Sequence, residues 1–340
     1  MPATAPAATL TRQYAKLCDL ADFADDELAA FLDDLNAQRL PSAAEKGPAA
    51  LRAAAQERAA ARPKGPEMHE VRTVSAPPDG RRARLYRPAA GATPLVLYLH
   101  GGGFVIGDLE TYDRPCRRLA FGSGVSVLAL DYRRAPEHPW PAAVDDTVAA
   151  LRWIASRPSE LGPAPAAVAI VGDSAGGTIA ALACVRLRDE AAAALPALQA
   201  LLYANTDLSN SGASIREKGH GFGLDIVDIE WFNSQWVPDP TMLTDPSVSP
   251  LFVPDLSGLP AAIVVTCEHD PLRDQGEAYA QRLREAGVPT TARREQGLVH
   301  NFLLLDSISP ACAAAVDRVA ADLKVALSKR HPRRHERRTK

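Results

Sequence analysis

Cysteine is scarce in this chain, and its pattern excludes two function classes. The five residues, Cys18, Cys116, Cys184, Cys267 and Cys312, are odd in number, far apart and unlike any zinc-ligand spacing. They read as reduced thiols of a cytoplasmic protein, not as a disulfide framework or a metal site. Cys267 reads as a small buried residue closing a strand. No stretch reaches the roughly 18 consecutive apolar residues of a membrane span. The alanine- and threonine-rich start lacks a basic segment followed by an unbroken apolar run, so no signal peptide is expected. No Gly-Lys-Ser/Thr ending follows a glycine-rich loop, which argues against a nucleotide phosphate loop. There is no internal repeat.

Strong net charge is absent as well. Against 41 acidic residues stand 38 Lys and Arg, a formal charge of −3. The distribution is uneven: Lys329 to Lys340 holds seven Lys/Arg and one Glu, so the remainder carries −9. A basic tail can touch nucleic acid or an anionic membrane. Without interleaved aromatic residues it reads here as a solvated, disordered segment, and no nucleic-acid partner is expected. With 340 residues, 46% hydrophobic and 23% charged, the chain can hold one large core and a smaller element.

The most informative feature present is Val171-Gly172-Asp173-Ser174-Ala175-Gly176-Gly177. It follows a strand-like run, Val168 to Val171, and precedes small, helix-compatible residues. A serine on a sharp strand-to-helix turn is held clear of the sheet. Glycine is needed two residues to either side, where a side chain would strike the neighbouring strand or helix. An ordinary glycine-rich connection is the alternative for this motif alone. His100-Gly101-Gly102-Gly103-Phe104 follows a second buried strand, Pro94 to Leu99. Its bare N–H groups suit an oxyanion hole, or else a flexible loop.

Two more residues fall where an open α/β sheet binds ligands, beyond the C-terminal ends of strands. Asp270 follows the strand Ala261 to Thr266 and the run Cys267-Glu268-His269; His300 lies in a loop, Gly297 to Phe302, after the strand Thr290 to Glu295. Asp270 alone could cap the helix from Arg273, and His300 alone could be a satisfied loop histidine. The order Ser174, Asp270, His300 is that of α/β-hydrolase triads.

Strands and helices alternate from Glu70, which predicts a mostly parallel central sheet with helices on both faces. The expected strands include Val71–Val74, Arg82–Tyr86, Val125–Leu130 and Leu198–Tyr203, with a helix over Val144–Ser156. Before them, Leu20, Phe23, Leu28, Phe31, Leu32 and Leu35 recur near helical spacing opposite an acidic face. Pro41 ends that pattern, and Leu51 to Ala61 reads as a second helix. The alternation pauses from Asn205 to Pro250, a stretch holding Phe222, Trp231, Phe232 and Trp236. Those aromatics suit an apolar substrate pocket or packing among themselves.

In combination, HGGGF, the run Asp131 to Ala142 (DYRRAPEHPWPA), GDSAGG, Glu268 to Asp274 (EHDPLRD) and the His300 loop resemble the hormone-sensitive-lipase-like family of α/β-hydrolases, the bacterial family IV carboxylesterases. The resemblance covers roughly residues 20 to 325 and implies an α/β-hydrolase fold with a helical cap. On that pattern 1–62 is an N-terminal cap segment and 63–205 the first part of the core. A cap insertion occupies 206–250, the second part of the core 251–328, and a basic tail 329–340. The resemblance implies Ser174 as nucleophile, His300 as base and Asp270 as its orienter, with oxyanion donors on the N–H groups of Gly102, Gly103 and Ala175. It departs at Asn301, where the family often has glycine; asparagine tolerates unusual backbone angles.

The expected activity is hydrolysis of small-molecule, short- to medium-chain acyl esters through an acyl-enzyme, with no metal or organic cofactor. Lactone, carbamate or amide cleavage at the same triad is the alternative. A non-catalytic receptor on this fold, as in the plant gibberellin receptors, is disfavoured because those have lost the histidine that His300 supplies. A homodimer is compatible with this reading. Asp131 and Glu137 are expected to hold the loop beneath the oxyanion strand, and His138 and His269 to be structural.

Overall fold

The computed structural model describes residues 23–328. Leu20, Cys18 and the basic tail lie outside the described residues. β1 (Glu70–Ala76) and β2 (Arg81–Arg87) form an antiparallel hairpin. β3 (Leu95–Leu99), β4 (Ser126–Leu130), β5 (Val168–Asp173), β6 (Leu198–Leu202), β7 (Ala261–His269) and β8 (Thr290–Val299) complete one eight-stranded sheet. Its order is β1-β2-β4-β3-β5-β6-β7-β8. β2 meets β4 antiparallel, and every pairing from β4 to β8 is parallel. Parallel strands covered on both faces read as unbroken apolar runs; β3, β4 and β6 are buried along their whole length.

The two faces divide the core. Leu95, Leu97 and Leu99 of β3 pack on the face of α4 (Ala142–Ala155), α5 (Ala175–Asp189) and α8 (Arg273–Glu285). Val96 and Tyr98 pack on the other, against α3 (Asp113–Ser123) and α9 (Pro310–Ser328). This is the two-residue alternation of a strand, with each face filled by apolar helix surface.

α1 (Asp26–Ala37) starts at Asp25, whose Oδ1 accepts from Leu28 N–H (2.8 Å). Oδ2 of the same carboxylate accepts from Ala311 N–H (2.7 Å), which ties this first helix to the start of α9. Leu28 and Leu32 are buried on that side, and Phe31 and Leu35 are half-buried. α2 (Ala43–Ala60) begins eight residues earlier than the expected Leu51. Ser42 and Glu45 form a reciprocal capping box, which stabilises a helix start that apolar spacing does not reveal. Gly47, at φ +71°, kinks this helix.

Between β6 and β7 the chain forms α6 (Ala213–Lys218), α7 (Ile226–Trp236) and short helical turns. This insertion meets the N-terminal helices. Asn36 Nδ2 donates to Gly221 O (3.0 Å), and Ala43 N–H donates to Asp228 Oδ1 (2.7 Å). Arg52 of α2 reaches the core, donating to Val105 O, Ala135 O and both Glu137 oxygens. Glu137 is therefore an exposed tether for α2, not a support beneath the oxyanion strand. Asp131 lies 3.9 Å from Arg82 and Arg134. No helix among the described residues is long and apolar enough to cross a membrane.

Two strands run further than their apolar cores suggest. Cys267-Glu268-His269 continue β7, and Gly297-Leu298-Val299 continue β8, across a register shift between Cys267 and His269. Gly297 N–H donates to Glu268 Oε2 (2.7 Å), and Gly297 O accepts from Ala24 N–H (3.1 Å). Backbone groups expected in loops are thus paired within the sheet and its cover.

Candidate active site

The extended register places Asp270 and His300 side by side. His269 pairs with Val299, so the next residues, Asp270 and His300, leave neighbouring strands at the same level. His300 Nδ1 lies 2.8 Å from Asp270 Oδ2, and its Nε2 lies 2.9 Å from Ser174 Oγ. A carboxylate only accepts hydrogen bonds, so Nδ1 carries the proton and the Nε2 lone pair faces the hydroxyl. Asp270 Oδ1 accepts from Leu272 N–H (2.8 Å) just before α8. The carboxylate therefore supports the helix start with one oxygen and the imidazole with the other. Tyr203 stands edge-on to the His300 ring, at 4.8 Å between centroids. Asp274 faces elsewhere, accepting from Ser214 N–H and Arg273 Nε.

Ser174 joins β5 to α5 at φ +51°, ψ −122°, a strained conformation for a residue with a Cβ. Its flanking glycines are sterically required. A Cβ on Gly172 would collide with the Gly176 carbonyl, and one on Gly176 with the Leu99 carbonyl at the end of β3. The close helix–strand approach holds the serine at the sheet's C-terminal edge.

The His100 loop closes over the same point. Gly102 and Gly103 have φ of +110° and +58°. Neither N–H donates to a partner among the described residues. Ala175 opens α5, where first-turn N–H groups have no intrahelical acceptor. All three residues line one cavity with Ser174 and His300. Asp173, which the sequence reading passed over, positions this loop. Its buried carboxylate accepts from Tyr98 Oη (2.6 Å), Gly101 N–H (2.9 Å) and Tyr112 Oη (3.0 Å). Removal from water pushes its pKa up to about 6, against these donors, which favour the anion. His100 is buried and stacked on Tyr132 at 4.3 Å. Burial lowers its pKa to about 4, so it is neutral and buttresses the loop through Nδ1 and Gly101 O (2.8 Å).

The cavity beside Ser174 measures about 80 Å³. Phe104, Ile106, Leu224, Ile229, Phe232 and Leu272 make its apolar walls, with Asn205, Asn233 and Asn301 as polar members. Asn301 sits in the left-handed region at φ +66°, where asparagine is tolerated. Of the four insertion aromatics only Phe232 lines this space. Trp236 is fully buried and stacks on Phe104 (3.9 Å), Phe222 stacks on His269 (5.3 Å), and Trp231 packs edge-on to Phe232. His269 is thus enclosed by Phe222 and Phe23, whereas His138 is exposed. A larger cavity of about 600 Å³ lies between the end of α2 and α3, among Arg62, Arg72 and Arg114. None of the residues grouped around Ser174 lines it.

Known proteins similar to this chain are hydrolases. A family model described as alpha/beta hydrolase fold matches residues 96–304. The carboxylic ester hydrolase LipN of Mycobacterium tuberculosis is 43% identical over 274 residues, 78% of this chain and 73% of that protein. Carboxylesterase NlhH of the same organism is 42% identical over 239 residues, 69% of this chain and 74% of its own. Among solved structures, the alpha/beta hydrolase LAE6 from the metagenome of Lake Arreo superposes with a TM-score of 0.85 at 39% identity. That match covers 91% of this chain and 99% of the other.

Proposed function

Because the chain belongs to the hormone-sensitive-lipase-like branch of the α/β-hydrolase family and is a carboxylic ester hydrolase, we propose that Ser174, Asp270 and His300 are its catalytic triad. The observation that carries this is the continuous relay from Asp270 Oδ2 through His300 to Ser174 Oγ, at 2.8 and 2.9 Å. His300 Nε2 takes the serine proton as Oγ attacks the ester carbonyl carbon. Asp270 stabilises the imidazolium that forms. The N–H groups of Gly102, Gly103 and Ala175 receive the oxyanion. His300 returns the proton to the departing alcohol, and water repeats the sequence to free the acid.

The preferred acyl chains are short to medium. The cavity, about 80 Å³, is far smaller than the roughly 300–1,000 Å³ of pockets that enclose drug-sized ligands. Segments 23–62 and 206–250 act as a cap, since they bond to each other and Phe232 reaches the cavity from the insertion. The cap limits water at the acyl-enzyme. The chain is read as cytoplasmic from its scattered, unpaired thiols; the four described ones are buried and free.

The test is Ser174→Ala assayed on para-nitrophenyl esters from acetate to laurate. Loss of a triad member costs about 10⁴ to 10⁶ in turnover. Near-normal turnover in the folded variant, or failure of an organophosphate to label Ser174, would reject the assignment. A preference for laurate would reject the chain-length reading alone.

A further inference from the structure

We propose that the larger cavity, between α2 and α3, binds a compact, non-aromatic polyanion carrying two or more phosphate or carboxylate groups, with the Arg62 guanidinium as its anchor. The cavity measures about 600 Å³, within the range of small-molecule sites. Its cations converge from separate elements: Arg62 and Lys64 just after α2, Arg72 from β1, Arg84 from β2, and Arg114 and Arg117 from α3. Against these six, only two lining residues are acidic, Glu110 and Asp113.

The carboxylates nearby do not neutralise this set, because they are shared. Asp113 serves both Arg84 and Arg117, Glu70 both Arg72 and Arg87, and Asp306 both Arg114 and Arg118. Glu110 is held by Arg84, with Arg82 at 3.9 Å. Lys64 pairs with Glu67 at 3.4 Å on the surface, a contact worth little. Half-buried Arg62 has no ion pair or side-chain hydrogen bond among the described residues. Removal from water lowers its pKa, and Arg58 and Arg114 lower it further, against Tyr112 and Asp306. An anion beside Arg62 would relieve that repulsion.

The donors are open to a ligand. Arg114 and Arg117 spend Nε on carboxylates and Nη1 on the carbonyls of Pro63 and Pro66, at 3.0 and 3.4 Å. Those bonds fasten segment 63–66 to α3 as a fixed wall. The Nη2 groups of both, Arg72 Nη1 and all three Arg62 side-chain nitrogens make no hydrogen bond among the described residues, and none is a buried atom. They are therefore accessible. Thr73 adds an exposed hydroxyl, whereas Gln56 and Thr111 already donate to Asp108, at 2.8 and 3.0 Å. A guanidinium fork matches the paired oxygens of phosphate and carboxylate. No aromatic ring is among the lining residues, so nothing there stacks on a base or an aryl group.

The experiment is calorimetric titration of the full chain with pyrophosphate and with citrate, against sodium chloride at matched ionic strength, repeated on Arg62→Ala. Saturable one-to-one binding of at least one polyanion is expected, weakened about tenfold or more in Arg62→Ala, the size of a lost charge-assisted contact. The tighter ligand gives the head group. Heats no larger than those of chloride overturn the inference and leave the triad reading untouched. Binding that Arg62→Ala leaves unchanged also overturns it, since the anion then sits elsewhere, as on the basic residues 329–340. The Arg62 side chain holds no bond to lose, so Arg62→Ala is expected to fold and to hydrolyse para-nitrophenyl butyrate like wild type. If it does not fold, Arg62→Lys takes its place, keeping the charge and losing the fork: weaker binding supports the inference and unchanged binding overturns it.

Discussion

Gly103→Ala is the sharpest probe of how the insertion and the oxyanion loop fit together. Two costs can be read from the structure. Gly103 has φ +58°, and an L-residue in that region costs about 1–2 kcal/mol. Its new Cβ would also lie within 2.5 Å of Phe232 Cδ1, and closer still to Cγ, in the middle of a ring on α7. Overpacking of this kind costs about 1–3 kcal/mol. If, on the proposed mechanism, the strain falls on Gly103 N–H as an oxyanion donor, the combined 2–5 kcal/mol becomes a loss of about 30- to 5,000-fold in kcat/KM. Truncating the ring removes only the second cost. Gly103→Ala in a Phe232→Ala background should therefore lose about 5- to 150-fold less than in the wild-type background. The assay is a double-mutant cycle on a short para-nitrophenyl ester, with denaturant melts to confirm folding. Zero coupling between the two sites, or an unimpaired Gly103→Ala enzyme, would refute the contact between α7 and the loop as the controlling feature.

Three further outcomes follow from named contacts. Asp270→Asn should lower turnover by about 10⁴ by presenting an amide to the imidazole, whereas Asp274→Asn, bonded to Ser214 and Arg273, should change it little; the reverse ranking rejects the orienter. Asp173 has its pKa raised to about 6 by burial from an unfolded value of about 3.9. Between about pH 4 and pH 6 the unfolded state loses this proton first, so the native state binds more protons and stability falls as pH rises, by an order of 3 kcal/mol. Denaturant unfolding across that window should show wild type losing about 3 kcal/mol relative to Asp173→Asn, which has no proton to lose there; a flat difference refutes it. Arg52→Ala removes bonds to two carbonyls and should cost about 1.5–3 kcal/mol, while Glu137→Gln, half exposed, should cost under about 1 kcal/mol by thermal melts; equal costs would show that the ion pair, not the carbonyl contacts, holds α2.

What was legible in the sequence was what steric necessity writes locally. The glycines around Ser174 and in the His100 loop are there because any Cβ would strike backbone or a neighbouring ring, so their spacing survives in one dimension. The parallel sheet was legible for a similar reason: strands buried on both faces are uninterrupted apolar runs. The order Ser174, Asp270, His300 followed from the strands each residue ends. Other features depended on partners distant in the chain, and no local pattern encodes those. The extra length of β7 and β8 arises because Glu268 and Ala24 satisfy Gly297. That pairing, through His269 and Val299, brings Asp270 to His300. Asp173 sits within the legible motif, yet its work needs Tyr98 and Tyr112, brought in by β3 and α3. The start of α2 at a Ser-x-x-Glu capping box was readable but has no apolar periodicity to announce it. The composition of the cavity was hidden altogether. Residues 205, 224, 229, 232, 233 and 272 meet there only after the insertion folds back over the sheet edge, so the chemistry was local in the sequence and its selectivity belongs to the tertiary structure.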